Sequence, residues 1–308
     1  MEHISIMLKE TVEGLAPRSD GVYVDGTLGR GGHSSYLLSF IKEGKLYAFD
    51  QDRQAIIESD QRLAKISDRY ELIHDNFIHI PQQLRSRGIF EVDGMMFDLG
   101  VSSPQFDDGE RGFSYHYDAR LDMRMNQEQA LDAYYVVNNY SKEDLIRIFY
   151  KYGEESFAKS IAQRIEVHRQ QKPIETTLEL VDIIKEGIPK KFHAGKHPAR
   201  KVFQALRIEV NHELDVLEQM LEECLDMLAV GGRMSVITFH SLEDRMVKES
   251  FARRTTPPKL PKNVPLLAKD MECNYRLVNR KVIVADEEEL EANPRSRSAK
   301  LRIIERIK

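Results

Sequence analysis

Residues 22–33 read Val-Tyr-Val-Asp-Gly-Thr-Leu-Gly-Arg-Gly-Gly-His, and this stretch constrains the fold more than any other. A short apolar run ends in Asp25. Four glycines follow between positions 26 and 32, and then a helix-like run, Ser34–Ile41. Glycine lacks a Cβ, so its backbone amides can approach a ligand closely. A strand, a glycine turn and a helix N-terminus together form a cradle for a nucleotide or cofactor. The spacing departs from G-x-G-x-x-G, and a turn needed only for packing would use the same residues. The neighbouring segments therefore have to decide.

They continue the pattern. Strand-like runs at Gly21–Gly26, Lys45–Asp50, Tyr70–His74 and Val92–Leu99 alternate with helical stretches at Ser34–Ile41, Asp52–Ile66 and Asn76–Arg87. Such alternation predicts a doubly wound α/β sheet. The nearly all-apolar fourth strand suits a parallel strand buried on both faces. From about Asp107 to Arg200 the pattern changes to helices alone: Gln127–Asn138, Lys142–Tyr150, Glu154–Arg169 and Thr177–Glu186. Ser141 with Asp144, and Thr176 with Glu179, mark helix starts. Apolar residues then recur at three-to-four spacing from Phe203 to Leu228, with Asn211 as a capping interruption and Gly231-Gly232 as the stop. Arg233–Phe239 reads as a fifth strand, Leu242–Arg253 as a helix, residues 255–271 with four prolines as a loop or arm, and Ser298–Lys308 as an edge strand.

With 308 residues and 41% hydrophobic content, the chain can bury a large core. No apolar run approaches the roughly 18 residues of a membrane span. Glu2, Lys9, Glu10 and Glu13 argue against a signal peptide. Two distant cysteines, Cys224 and Cys273, form neither a disulfide framework nor a metal spacing, which fits a cytoplasmic protein. His193 and His197 are four apart with no third ligand evident, so no metal is expected. Net charge is −5, but it is unevenly spread: residues 241–308 carry 16 Lys+Arg against 11 Asp+Glu. Lys190, Lys191, Lys196, Arg200 and Lys201 form a second basic cluster with no acid among them. Such patches can dock phosphates, though a solvated loop has the same composition.

Asp50 closes the second strand, where a carboxylate can accept from ribose hydroxyls in nicotinamide and S-adenosylmethionine sites alike; helix capping is the alternative for Asp50 or Asp52. Phe77 follows the third strand and could pack on adenine or belong to the core. The fourth strand ends Asp98-Leu-Gly-Val-Ser-Ser-Pro-Gln105. Enzymes that methylate the amino groups of nucleobases place a proline turn here, whose acceptors hold the hydrogens of an exocyclic amine. Ser102-Ser103-Pro104 lacks the second proline and the aromatic of that turn, and a simple strand-ending turn would also satisfy it.

At this point the chain resembles the bacterial 16S rRNA cytosine-N4 methyltransferases of the RsmH (MraW) family. The matching segments are His3–Glu10, Asp25–His33, Asp98–Gln105, Glu110–Ser114, Leu121–Met125, Tyr152–Glu155, Phe203–Arg207, Phe239–Arg245 and Asn293–Lys300, in family order across nearly the whole chain. The resemblance implies a Rossmann-like class I S-adenosylmethionine-dependent methyltransferase sheet, residues 1–106 and 202–308. It also implies an inserted all-helical domain, residues 107–201, for RNA recognition. The implied reaction is methylation of N4 of a cytosine in the decoding region of the small subunit, the family's cytosine 1402 in rRNA numbering. The family's cofactor-binding positions fall on Gly31, Gly32, His33, Asp50, Phe77, Asp98 and Gln105.

From the residues themselves, Ser102, Ser103 and Pro104 are expected to orient the amine. His240, with Asp244 near it, is expected to take up the released proton or else to be a structural histidine at a strand end. RNA contact is expected from Lys190, Lys191, Lys196, Arg200 and Lys201 and from an arm carrying Arg253, Arg254, Lys259 and Lys262, with Arg295, Arg297 and Lys300 as further candidates. The expected partner is 16S rRNA within the 30S subunit, and a homodimer stays open. The rival readings are an NAD-dependent oxidoreductase, which the serine-proline turn and basic arms fit poorly, and a non-catalytic ribosome assembly factor.

Overall fold

The computed structural model describes residues 5–100, 109–193, 195–257 and 272–308. The chain divides into two compact units, one formed by residues 1–100 and 215–308 and the other by residues 101–214.

The first unit is built on a seven-stranded sheet. Its strands are β1 (Val22–Asp25), β2 (Lys45–Asp50), β3 (Tyr70–His74), β4 (Val92–Asp98), β5 (Leu228–Thr238), β6 (Tyr275–Leu277) and β7 (Lys300–Arg306). They lie in the order β3-β2-β1-β4-β5-β7-β6. Pairings from β3 through β5 are parallel, and β7 runs antiparallel to both β5 and β6. This is a Rossmann-like sheet with one reversed strand. Strand order changes direction between β1 and β4, the place where open α/β sheets bind ligands.

Side-chain alternation along each strand divides the core. Leu46 and Ala48 of β2, Tyr23 of β1 and Met96 of β4 join Leu15, Leu37 and Leu63 on one face. Tyr47, Phe49, Val24, Met95 and Phe97 join Leu84, Leu217, Met220 and Phe251 on the other. The helices supplying the first face are α1 (Leu8–Gly14), α2 (Gly32–Leu38) and α3 (Arg53–Leu63), and α4 (Ile80–Arg85) supplies the second together with the helices at Glu213–Glu223 and Ser241–Thr255.

The second unit, among its described residues, is helical: α5 (Ala133–Asn139), α6 (Lys142–Lys151), α7 (Ala158–Gln171), α8 (Thr177–Gly187) and α9 (Arg200–Asn211). Ser141 caps α6 by accepting from the Asp144 amide, and Thr176 with Glu179 forms a capping box on α8. Leu145, Ile148, Phe149, Ile161, Ile165, Leu180 and Ile184 are buried along these helices. Helix α9 packs on α5 and α6, and its residues Val202, Phe203, Ala205 and Leu206 are buried. It therefore belongs to this unit, although its apolar spacing reads as continuous with the segment that follows.

Three local readings are corrected. Asn211 does not cap a new helix. Its amide is buried and bonds to the Met123 and Arg207 carbonyls and the Met125 amide, and the break falls at His212, at φ 51°. Gly231-Gly232 does not end a helix either: α10 (Glu213–Glu223) stops earlier, and β5 starts at Leu228 and bulges across from Val92 and Gly94. The last strand is not at the edge, because β6 covers it. The remaining elements are α11 (Ser241–Thr255) and α12 (Glu287–Ala292). Among the described residues no helix is long and apolar enough to cross a membrane. Cys224 is buried, and burial pushes its thiol pKa up.

Candidate active site

The glycine turn between β1 and α2 is fastened to three strand ends. Asp25, at the end of β1, accepts from the Thr27 amide at 3.1 Å and from Ser34 Oγ at 2.7 Å. Asp50, at the end of β2, accepts from the Gly29 amide at 2.8 Å and from the Asp52 amide at 2.8 Å. The Asp98 amide, at the end of β4, donates to Thr27 Oγ1 at 2.6 Å. Gly31 caps α2 at φ 70°, a left-handed conformation that glycine adopts without a Cβ penalty. A Cβ on Gly32 would collide with Ser5 Oγ, so Ser5 closes directly over the turn.

That N-terminal strap is held from both sides. His33 Nε2 lies 2.9 Å from the Ile6 carbonyl, and the Met7 amide donates to Glu289 Oε1 of α12 at 2.8 Å. A carbonyl only accepts, so Nε2 carries the proton. His33 Nδ1 then faces Asp98 Oδ2 at 3.9 Å. The other oxygen of Asp98 is buried and has no hydrogen-bond partner among the described residues.

Burial sets the electrostatics. It pushes Asp98 up to about 8, and Asp25, Glu243 and Glu289 add to the shift by repulsion. Asp50 is pushed up to about 7, by burial first, against hydrogen bonds from the Asp52 and Gly29 amides. Asp25 rises to about 6, again by burial, which outweighs its bonds from Ser34 and Thr27. Carboxylates crowded at adjacent strand ends in a low dielectric favour a cationic ligand, which would ionise them. Each oxygen of Asp50 keeps a lone pair beyond its backbone bond, so it can also accept from hydroxyls.

Gly31, Gly32, His33, Asp50 and Asp98 thus meet at one turn. Helix capping, the alternative for either aspartate, falls to Asp52, which accepts from the Gln54 amide at 3.0 Å. Phe77 is half-buried, its ring edge-on to Phe97 at 5.8 Å. It therefore touches the core and keeps part of its surface open. Asp25, Glu289 and the Ser5–Met7 strap were not among the expected site residues. Asp25 was visible as the acid before the glycines; the other two come from segments distant in sequence.

His240 is the N-cap of α11. Its Nδ1 accepts from the Glu243 amide at 3.4 Å, and Glu243 Oε2 accepts in return from the Phe239 and His240 amides. Its Nε2 lies 3.1 Å from Glu243 Oε1. Both ring nitrogens thus face this helix start. Asp244 accepts from Lys300 Nζ and Arg302 Nε, each at 2.8 Å. Burial raises its pKa, but these two cations outweigh burial and the net shift is downward.

The basic clusters differ. Arg253 is paired with Glu222 at 2.6 Å, and Arg254 with Asp226 at 2.8 Å. Lys201 donates to the Glu154 carbonyl. Lys190, Lys191, Lys196 and Arg200 are exposed, and no ion pair is found for them among the described residues. Arg295 and Arg297 are also exposed. His193 Nε2 lies 2.9 Å from the Ile188 carbonyl, and His197 Nδ1 accepts from the Ala199 amide at 3.2 Å, so each histidine engages its own backbone. Ser102, Ser103, Pro104, Gln105, Lys259 and Lys262 lie outside the described residues.

Residues 1–307 match the family model described as the MraW methylase family. The chain is 52% identical, over 308 residues, to the ribosomal RNA small subunit methyltransferase H of Exiguobacterium sibiricum, covering 100% of this chain and 99% of that protein. Solved structures that it resembles include an rRNA methylase from Streptococcus thermophilus, with a TM-score of 0.43 and 14% identity over 99% of each chain. Another is an S-adenosylmethionine-dependent O-methyltransferase from Thermotoga maritima, with a TM-score of 0.41 and 9% identity over 100% of this chain and 69% of that one. The chain is a methyltransferase and belongs to the MraW methylase family.

Proposed function

We propose that this enzyme methylates the exocyclic N4 of a cytosine in the small-subunit rRNA, at the family's position 1402, acting on the 30S particle in the cytoplasm. The methyl donor is S-adenosylmethionine, which supplies an electrophilic methyl on a sulfonium. The observation that carries the reading is the glycine turn ringed by Asp25, Asp50 and Asp98, with one buried oxygen of Asp98 unpartnered among the described residues, in a chain of this family. Asp50 would accept from the donor's ribose hydroxyls. Asp98, with His33 beside it, would hold the donor's cationic end, and Phe77 would cover the adenine. Gln105 and the Ser102-Ser103-Pro104 turn enter from their sequence alone, the turn as acceptor for the amine's hydrogens.

The amine's lone pair is delocalised into the ring, so holding N4 in line with the methyl does more than basicity would. The nitrogen forms the new bond as the sulfur–carbon bond breaks, and the nitrogen then loses a proton to water or to His240. Phosphate contact would come from the exposed cations of residues 190–200.

Transfer of labelled methyl to purified small subunits that lack the modification, followed by digestion and mass mapping, tests the reading. N4-methylcytidine at that position is expected. Label on carbon 5, label at another position, or no label would overturn it.

A further inference from the structure

The 14 residues from Gly187 to Arg200 contain no acid, and the described ones include four exposed cations without ion pairs. This loop, which joins α8 to α9, is anchored at both ends by rings. Near its start, Phe192 packs on Phe157 with ring centroids 5.1 Å apart, and the Lys191 ammonium stands 5.1 Å from the Phe192 ring. Near its end, His197 lies face to face with Tyr115, 4.5 Å apart and only 13° from parallel. The exposed ring of His116 leans on Tyr115 at 4.6 Å, and Phe203 backs Tyr115 edge-on at 5.6 Å. Burial, with His116 and Lys185 adding, lowers the pKa of His197 and favours its neutral ring.

Free cations interleaved with stacked planar rings match one ligand chemistry. Phosphates need the charges and unpaired bases need the ring faces, whereas an acidic peptide would use only the charges. By contrast Arg253 and Arg254 already hold carboxylates. We infer that the loop of residues 187–200 is a docking surface for a single-stranded RNA segment, with phosphates along Lys190, Lys191 and Lys196 and a base stacked against His116 on the Tyr115–His197 pair. This rests on the proposed rRNA substrate and adds that the recognised segment is unpaired. Lys201 is not part of the surface, because its ammonium is spent on the Glu154 carbonyl.

The test uses the full chain with S-adenosylhomocysteine bound and a labelled unpaired RNA of about 12 nucleotides, long enough to span one such groove. The duplex of the same sequence and polyglutamate serve as competitors. The K190Q/K191Q/K196Q chain is expected to bind the RNA at least tenfold more weakly. Its log-affinity against log-salt slope should be shallower by about 2, since each phosphate contact on a single strand contributes about 0.7. H116A should weaken binding several-fold without changing the slope, and H116F should restore it.

Unchanged binding in the triple variant, equal competition by the duplex, or equal competition by polyglutamate would each overturn the inference, the last in favour of an acidic protein partner. An H116A chain that binds as wild type would remove the base from the surface. RNA binding as described without methyl transfer to cytosine would sink the proposed reaction and leave this surface standing. Wild-type KM for small subunits in the triple variant would do the reverse.

Discussion

Asp98 is the residue whose environment makes the sharpest prediction. Its pKa in the folded chain, about 8, lies far above the ordinary aspartate value of 3.8. The folded state therefore holds a proton that the unfolded state has lost, and the associated stability is present at low pH and disappears as pH rises through 8. Carboxylates with lowered pKa, such as Asp75, Asp122 and Asp244, are fully ionised above about pH 5.5 and add no slope there. Between pH 5.5 and 8 the ligand-free wild type should lose stability faster than D98N, by at most about 1.4 kcal/mol per pH unit. Denaturant midpoints at four or five pH values measure this, and parallel curves would refute it. Calorimetry in two buffers adds a check: binding of S-adenosylhomocysteine at pH 7 should release more protons from wild type than from D98N.

His240 needs a substitution that separates its two readings. Asparagine is a good N-cap and a poor base. H240N should keep turnover within about threefold, while H240A loses about 1 kcal/mol of stability with its cap. A drop of tenfold or more in H240N, with S-adenosylhomocysteine affinity intact, would make the imidazole part of the chemistry.

At the scale of elements, the loop before α5 depends on one side chain of α9. Asn211 satisfies the Met123 carbonyl and the Met125 amide inside the helical unit. Met123 itself sits at φ 60°, a conformation that local sequence does not favour. N211A would strand both backbone groups, and a loss of about 1–3 kcal/mol in chemical denaturation is expected.

Elements coded by neighbours in sequence were legible. β2 and β3 match their expected bounds, and the caps at Ser141 and Thr176 fall where a hydroxyl precedes an acid by three. The alternation of residues 298–308 suits an edge strand and an internal antiparallel strand equally. What decides is β6, three residues long, too short to carry a period of its own. The extent of the insertion was hidden likewise: α9 carries the apolar spacing of its successor, and only packing assigns it.

On the scale of the whole molecule, the net charge of −5 hides two kinds of basic cluster. Sequence placed both, but the partners of Arg253 and Arg254 lie 28–31 residues away, so their neutralisation was invisible. The glycine turn was readable because its motif is contiguous; the crowding of Asp25, Asp50 and Asp98 needed the sheet order. The nicotinamide reading ends with the family membership.

If the exposed cations of one loop carry the RNA, salt should act on one substrate only. Raising salt from about 50 to about 200 mM should increase KM for small subunits tenfold or more, by counterion release. The dissociation constant of S-adenosylhomocysteine should move less than twofold, because that ligand carries no phosphate and binding it releases no condensed counterions. Matched changes in both would argue against a separate electrostatic surface.

The bond from Met7 to Glu289 ties the strap over the glycine bend to helix α12. The roof over the glycine bend therefore joins two stretches of chain 282 residues apart, and it cannot be complete in a polypeptide that lacks either one.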